Sequence, residues 1–163
     1  MTRHFSFARL SLALLAMLAL AGPAAAEGQR KQVPFRGRLE GIVTTVTPLT
    51  PPFLAVNAEG SGNATQLGRF DVSISLVANA ADGTAVGSYE FTAANGDTLT
   101  ADFTERFTPT DVPGVFSDVI TATITGGTGR FAGATGSFVA YRVADHVTGI
   151  VSDSFEGTIS TPR

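Results

Sequence analysis

The chain has 163 residues, a formal net charge of −3 and no cysteine. Its basic residues form no block beyond Arg30-Lys31 and the Arg36/Arg38 pair, which argues against nucleic acid as a partner. Without cysteine there are no disulfides, thiolate metal sites or cysteine nucleophiles, so the hydrophobic core must hold the fold unaided.

The N-terminus reads as a secretory leader. Arg3 and Arg9 precede the apolar run Leu10 to Ala21, Gly22-Pro23 breaks it, and Ala24-Ala25-Ala26 supplies small residues for cleavage. The run is too short to span a bilayer comfortably. Residues 1–26 are therefore expected to be removed, leaving residues 27–163 as one exported domain with no membrane span.

Downstream, the composition favours strands. Twenty threonines and seventeen glycines follow the leader; threonine is stiff at its first torsion and suits strands, while scattered glycine breaks helices. Phe35, Leu39 and Val43 alternate with Arg36, Arg38 and Glu40, and Pro48 to Pro52 ends that run. A weaker strand covers Phe53 to Glu59. Phe70, Val72, Ile74 and Leu76 then alternate with Arg69, Asp71, Ser73 and Ser75 before turn residues Asn79 to Gly83. Gly87 to Ala93 and Thr98 to Thr108 flank Asn95-Gly96-Asp97, the best hairpin signal in the chain. Phe116 to Thr125, Gly136 to Val143 and Gly149 to Ser160 complete a set of eight. Strands of this length, each with one apolar face, predict an all-β sandwich or closed antiparallel barrel. Closure has the advantage of leaving no unpaired edge.

The segment ITGGTGRFAGATGS, residues 124 to 137, invites a nucleotide-binding reading, but its context is wrong. A dinucleotide loop must open a helix within a βαβ unit. Here Gly133 and Gly136 would break such a helix, and the alternating run Ser137 to Val143 follows at once. No Lys-Ser/Thr pair makes it a phosphate loop either. The segment is expected to be a connection between strands. Gly126, Gly127 and Gly129 would take positive φ, Phe131 would turn back into the core, and Gly133 and Gly136 would permit close re-entry to the sheet.

Few residues in the expected domain carry chemistry. His146 is its only histidine, which rules out a multi-histidine metal site, and no cofactor is implied. Beside Asp145, it is expected in a polar connection between strands. Glu105 shares the apolar parity of Leu99, Ala101, Phe103 and Phe107, and Asp118 that of Phe116, Ile120 and Ile124. Interior carboxylates have raised pKa values and could act as a general base or hold a ligand. The alternative sets both at solvated strand ends, paired with Arg130 or Arg142. Tyr89, Phe103 and Tyr141 are the candidate ligand-facing aromatics.

GGTGRFAGATGSF, Gly126 to Phe138, resembles the turn of the allene oxide cyclase barrel and dirigent families and of secreted bacterial barrels related to them. GSGNATQLGRF, Gly60 to Phe70, is similar to a second segment of the bacterial members, which often carry histidine where this chain has Gln66. The resemblance implies a single closed antiparallel eight-stranded barrel with a central cavity. The plant members act on hydrophobic small molecules inside the barrel, by cyclisation or by steering radical coupling. Three functions are thus in view: binding of a hydrophobic small molecule, isomerase or cyclase chemistry at an interior carboxylate such as Glu105, or a solid structural barrel. A cavity of about 300 Å³ or more would separate the first two from the third. The mixed apolar and threonine outer face permits homo-oligomers.

Overall fold

A computed structural model describes residues 31–161; the expected leader lies outside them. The strands are β1 (Val33–Pro48), β2 (Phe53–Ala64), β3 (Gly68–Asn79), β4 (Thr84–Ala93), β5 (Thr98–Pro109), β6 (Val115–Gly127), β7 (Thr135–Asp145) and β8 (Ile150–Ser160). Each pairs antiparallel with its neighbours in sequence, and β1 pairs with β8 from Val33↔Ile159 to Ile42↔Ile150, closing an eight-stranded barrel. The alternation that predicted the strands is the alternation of inside and outside. In β3, Phe70, Val72 and Ile74 are buried, while Arg69, Asp71, Ser73 and Ser75 face out.

The glycine-rich segment connects β6 to β7 and launches no α-helix, only the single 3₁₀ turn Gly129–Phe131. Gly126 sits at a bulge, where the β5–β6 register shifts between Thr100 and Ala101, with φ of 145°. That angle favours glycine. Gly129, Gly133 and Gly136 also have positive φ. Gly127 does not, contrary to expectation. Its lack of a side chain serves proximity instead, since a Cβ there would strike the Thr98 carbonyl and come 2.9 Å from Phe131 Cβ. Phe131 does turn inward and is buried.

Interior glycines recur opposite phenylalanines. The cross-strand pairs are Gly37↔Phe155, Gly62↔Phe70, Gly87↔Phe103 and Gly157↔Phe138. A Cβ would stand 2.5 Å from Phe155 Cζ at Gly37, and 2.7 Å from the Phe70 and Phe103 rings at Gly62 and Gly87. At these three the glycine leaves space its partner's ring fills, and at Gly157 it admits the close approach of Phe138 Cα and Cβ. This large-against-small alternation lets rings fill the part of the barrel where they meet.

The packing is uneven along the barrel axis. Phe35, Phe70, Phe91, Phe138 and Phe155 form one connected cluster, with contacting ring centroids 5.2–6.5 Å apart. Leu67, Leu99, Phe131 and Ile159 join them in the core at the end carrying the β2–β3, β4–β5 and β6–β7 connections. Tyr89 and Phe103, 4.8 Å apart, continue the stack towards mid-barrel. Beyond them the continuous ring stack ends, and the opposite half is hollow.

Candidate functional site

The hollow half is a cavity of about 510 Å³ at the end formed by the β1–β2, β3–β4, β5–β6 and β7–β8 turns. Its walls are aliphatic: Val43, Leu54, Val56, Ala58, Ile74, Leu76, Ala144 and Val151. Phe107 and Phe116 line it near the turns, with centroids 6.0 Å apart. His146 lines it too, its ring stacked on Phe116 at 4.3 Å. Asp145 is the last residue of β7, and its Oδ1 accepts the Val147 and Thr148 backbone N–H groups, so it shapes the turn that carries His146.

Where the cavity meets the aromatic plug lies a buried polar network centred on Arg142, itself 4% exposed. Its Nε donates to Asp153 Oδ1 at 2.8 Å and its Nη2 to Asp153 Oδ2 at 2.9 Å, a bidentate pair. Nη2 also donates to the Tyr89 hydroxyl at 2.9 Å, and Nη1 to Glu105 Oε2 at 3.1 Å. Tyr89 donates in turn to Asp153 Oδ2 at 3.1 Å. Adjacent strands bring these groups together: Arg142 opposes Asp118 on β6 and Asp153 on β8, while Glu105 opposes Ile120, one inward step from Asp118.

Asp118, 3% exposed, is the member the network leaves under-served. No N–H or O–H donor reaches its Oδ1 among the described residues. It faces Glu105, and two carboxyl groups hydrogen-bond to each other only by sharing a proton. Burial, with the nearby Glu105 charge, pushes the Asp118 pKa up to about 7. Burial also raises Glu105, against the pull of Arg142. Tyr89, buried beside Asp153, is raised well above the usual phenol value.

A stability prediction follows. Between the ordinary carboxyl range and about pH 7, folded Asp118 holds a proton that the unfolded chain has released. Stability should therefore fall as pH rises through that window, by at most about 1.4 kcal/mol per pH unit for one proton. His146, whose burial lowers its pKa, acts in the opposite direction but is exposed and contributes less. Urea unfolding at a series of pH values should show this slope in the native protein and a shallower one in Asp118→Asn, where the raised Glu105 remains. An unchanged slope in that variant would refute the assignment.

The structure thus brings Glu105, Asp118, Tyr89 and Phe103 to the barrel interior, with the two carboxyls lining the cavity and the two rings in the stack beneath it. The expected solvated rim for Glu105 and Asp118 is not found, although one of its proposed partners, Arg142, is correct for Glu105. Arg130 pairs instead with Asp97 at the other end. Tyr141 does not reach the cavity: it is 56% exposed on the outer face of β7, because Phe138, Ala140, Arg142 and Ala144 take the inward positions. Sequence reasoning missed Asp153, which alternates inward with Val151 and Phe155 and was signalled by that parity alone. It also missed His146 as a cavity-lining residue.

This architecture is similar to that of the solved pterocarpan synthase dirigent protein, with a TM-score of 0.51 over 82% of this chain and 86% of that one. The fold is that of a dirigent-like barrel. Sequence identity is 14%, so the likeness is one of fold. No family model and no curated protein matches the chain. Among the described residues, no helix is long and apolar enough to cross a membrane.

Proposed function

We propose that this is an exported barrel that holds a hydrophobic small molecule in its hollow half, with the molecule's polar group towards Glu105 and Asp118. The observation carrying the reading is the form of the cavity: about 510 Å³, with aliphatic walls, ending on buried carboxyls. Ligand sites of this size typically combine apolar lining with a few fixed polar groups that set orientation. The full aromatic packing of the other half shows that this sequence can fill a barrel, so the hollow is a feature of composition at particular positions. Support for export comes from the leader alone.

Titration with a neutral solvatochromic dye tests the binding. Saturable, one-site binding is expected, weakened about tenfold or more by Ala78→Phe, which projects a ring into the cavity. The outer-face change Tyr141→Ala should leave it unaltered. Absence of saturable binding, or indifference to Ala78→Phe, would overturn the reading. Mass spectrometry of the protein purified from its exported fraction reads the co-purifying molecule, and the intact mass reports whether the chain begins at Glu27.

A second reading is acid–base isomerisation or cyclisation of the bound molecule. It is favoured by Asp118, whose pKa of about 7 suits proton transfer near neutral pH. Glu105→Gln would then abolish product formation while leaving binding of an apolar dye intact. A native protein that binds its co-purifying molecule without changing it would remove this reading.

A further inference from the structure

The network at the base of the cavity is unbalanced in charge. Arg142 contributes one positive charge, and Glu105, Asp118 and Asp153 are three carboxyls within the same buried set. Tyr89 from β4 is neutral and already engaged, and His146 stands apart at the rim. Even with one carboxyl protonated, the set is left one negative charge in excess. An uncompensated charge is costly in an apolar surrounding and favours a cation. The geometry also lacks a donor, since Arg142 and Tyr89 are spent on Asp153 and Glu105 and none reaches Asp118 Oδ1.

We propose that the cavity selects a lipophilic primary or secondary amine, bound as its ammonium with an N–H on the Asp118 carboxyl and its hydrocarbon body among the aliphatic walls. This rests on the reading of the cavity as a hydrophobic ligand site and adds the chemical class of the ligand. A metal ion does not fit, because both Asp153 oxygens are taken by Arg142 and no group of three or more potential ligand side chains converges among the described residues. The aliphatic walls call for a cation with an apolar body. Phe107 lies directly across the β5–β6 ladder from Asp118, and Phe116 is two residues before it. Their rings, lining the same cavity, add a surface that attracts ammonium groups. A primary or secondary ammonium can donate an N–H to the Asp118 carboxyl where it lines the cavity, which a quaternary ammonium cannot do.

Displacement of the neutral dye by octylamine, octanol, octanoate and octyltrimethylammonium tests the proposal. At about pH 8, octylamine should bind at least about tenfold more tightly than octanol and than octyltrimethylammonium, the margin expected of a charge-assisted hydrogen bond. Octanoate should bind most weakly. The amine stays protonated throughout, as lysine does, so its advantage should grow from about pH 6 to about pH 8 as Asp118 ionises. Asp118→Asn should erase that growth, and the outer-face change Tyr141→Ala should preserve it. If the dye binds but octylamine has no advantage over octanol, or the quaternary ion equals it, the amine assignment fails and the cavity reading stands. If neither dye nor any member of the series binds, both fail.

Discussion

Arg142→Met is expected to destabilise the barrel by about 3–5 kcal/mol near neutral pH, the usual cost of removing one partner from a buried ion pair. The loss is large because Arg142 serves several groups at once. Its removal strips Asp153 of a bidentate partner and leaves Glu105 without its guanidinium donor. Tyr89 keeps its bond to Asp153 but loses the one it receives. Methionine has similar length and no charge, so the remaining carboxyls must take up protons to stay buried. Their folded pKa values then lie above the unfolded ones, which makes the damage grow as pH rises and shrink towards about pH 5. Adding Asp153→Asn should recover part of the stability, since it deletes the charge left most isolated. Urea denaturation at two pH values measures both effects. A loss under about 1 kcal/mol, equal at both pH values, would mean that the network carries no buried charge.

The strands were legible because period two is a strong signal wherever polar and apolar residues contrast. The parity of Glu105 and Asp118 pointed inward for the same reason, with Phe103 and Phe107 flanking one and Phe116 and Ile120 the other, but parity alone could not exclude a solvated rim, because it does not say how far from the strand ends a residue lies. β7 lacked the contrast. Its outward Val139, Tyr141 and Val143 are as apolar as its inward Phe138, Ala140 and Ala144, so Tyr141 was assigned to the wrong side. Arg142 compounded the difficulty, because an arginine in an apolar strand reads as the solvent face unless a buried acid elsewhere calls for it. The cue that resolves β7 is non-local. Gly157 on β8 lies across from Phe138, whose Cα and Cβ approach within the space a side chain would take, and this depends on a register no local pattern states. The hollow half was hidden for a related reason. Both halves alternate equally well, and only the size of the inward residues sets them apart: stacked rings at one end, and mostly valine, alanine and leucine, with Phe107 and Phe116 at the mouth, at the other.

That division predicts unequal costs for the same chemical change. Phe91→Ala should lose about 3–5 kcal/mol, the usual range for an aromatic deleted from a core. Phe91 is 0% exposed, stacks on Tyr89 at 5.3 Å and 17°, and lies 5.2–6.4 Å from Phe35, Phe70, Phe138 and Phe155. The backbone around it is a closed ladder of hydrogen bonds, so the strands cannot fall inward to fill the void, and the contacts are lost outright. Phe107→Ala removes the same ring from the wall of an existing cavity, where it is half-buried and has space on one side already. Its cost should be smaller by about 2 kcal/mol or more. Thermal or urea unfolding of the two variants side by side reads the difference. Equal losses would show that the hollow half is as tightly packed in solution as the plug, leaving no room for the ligand on which the functional reading depends.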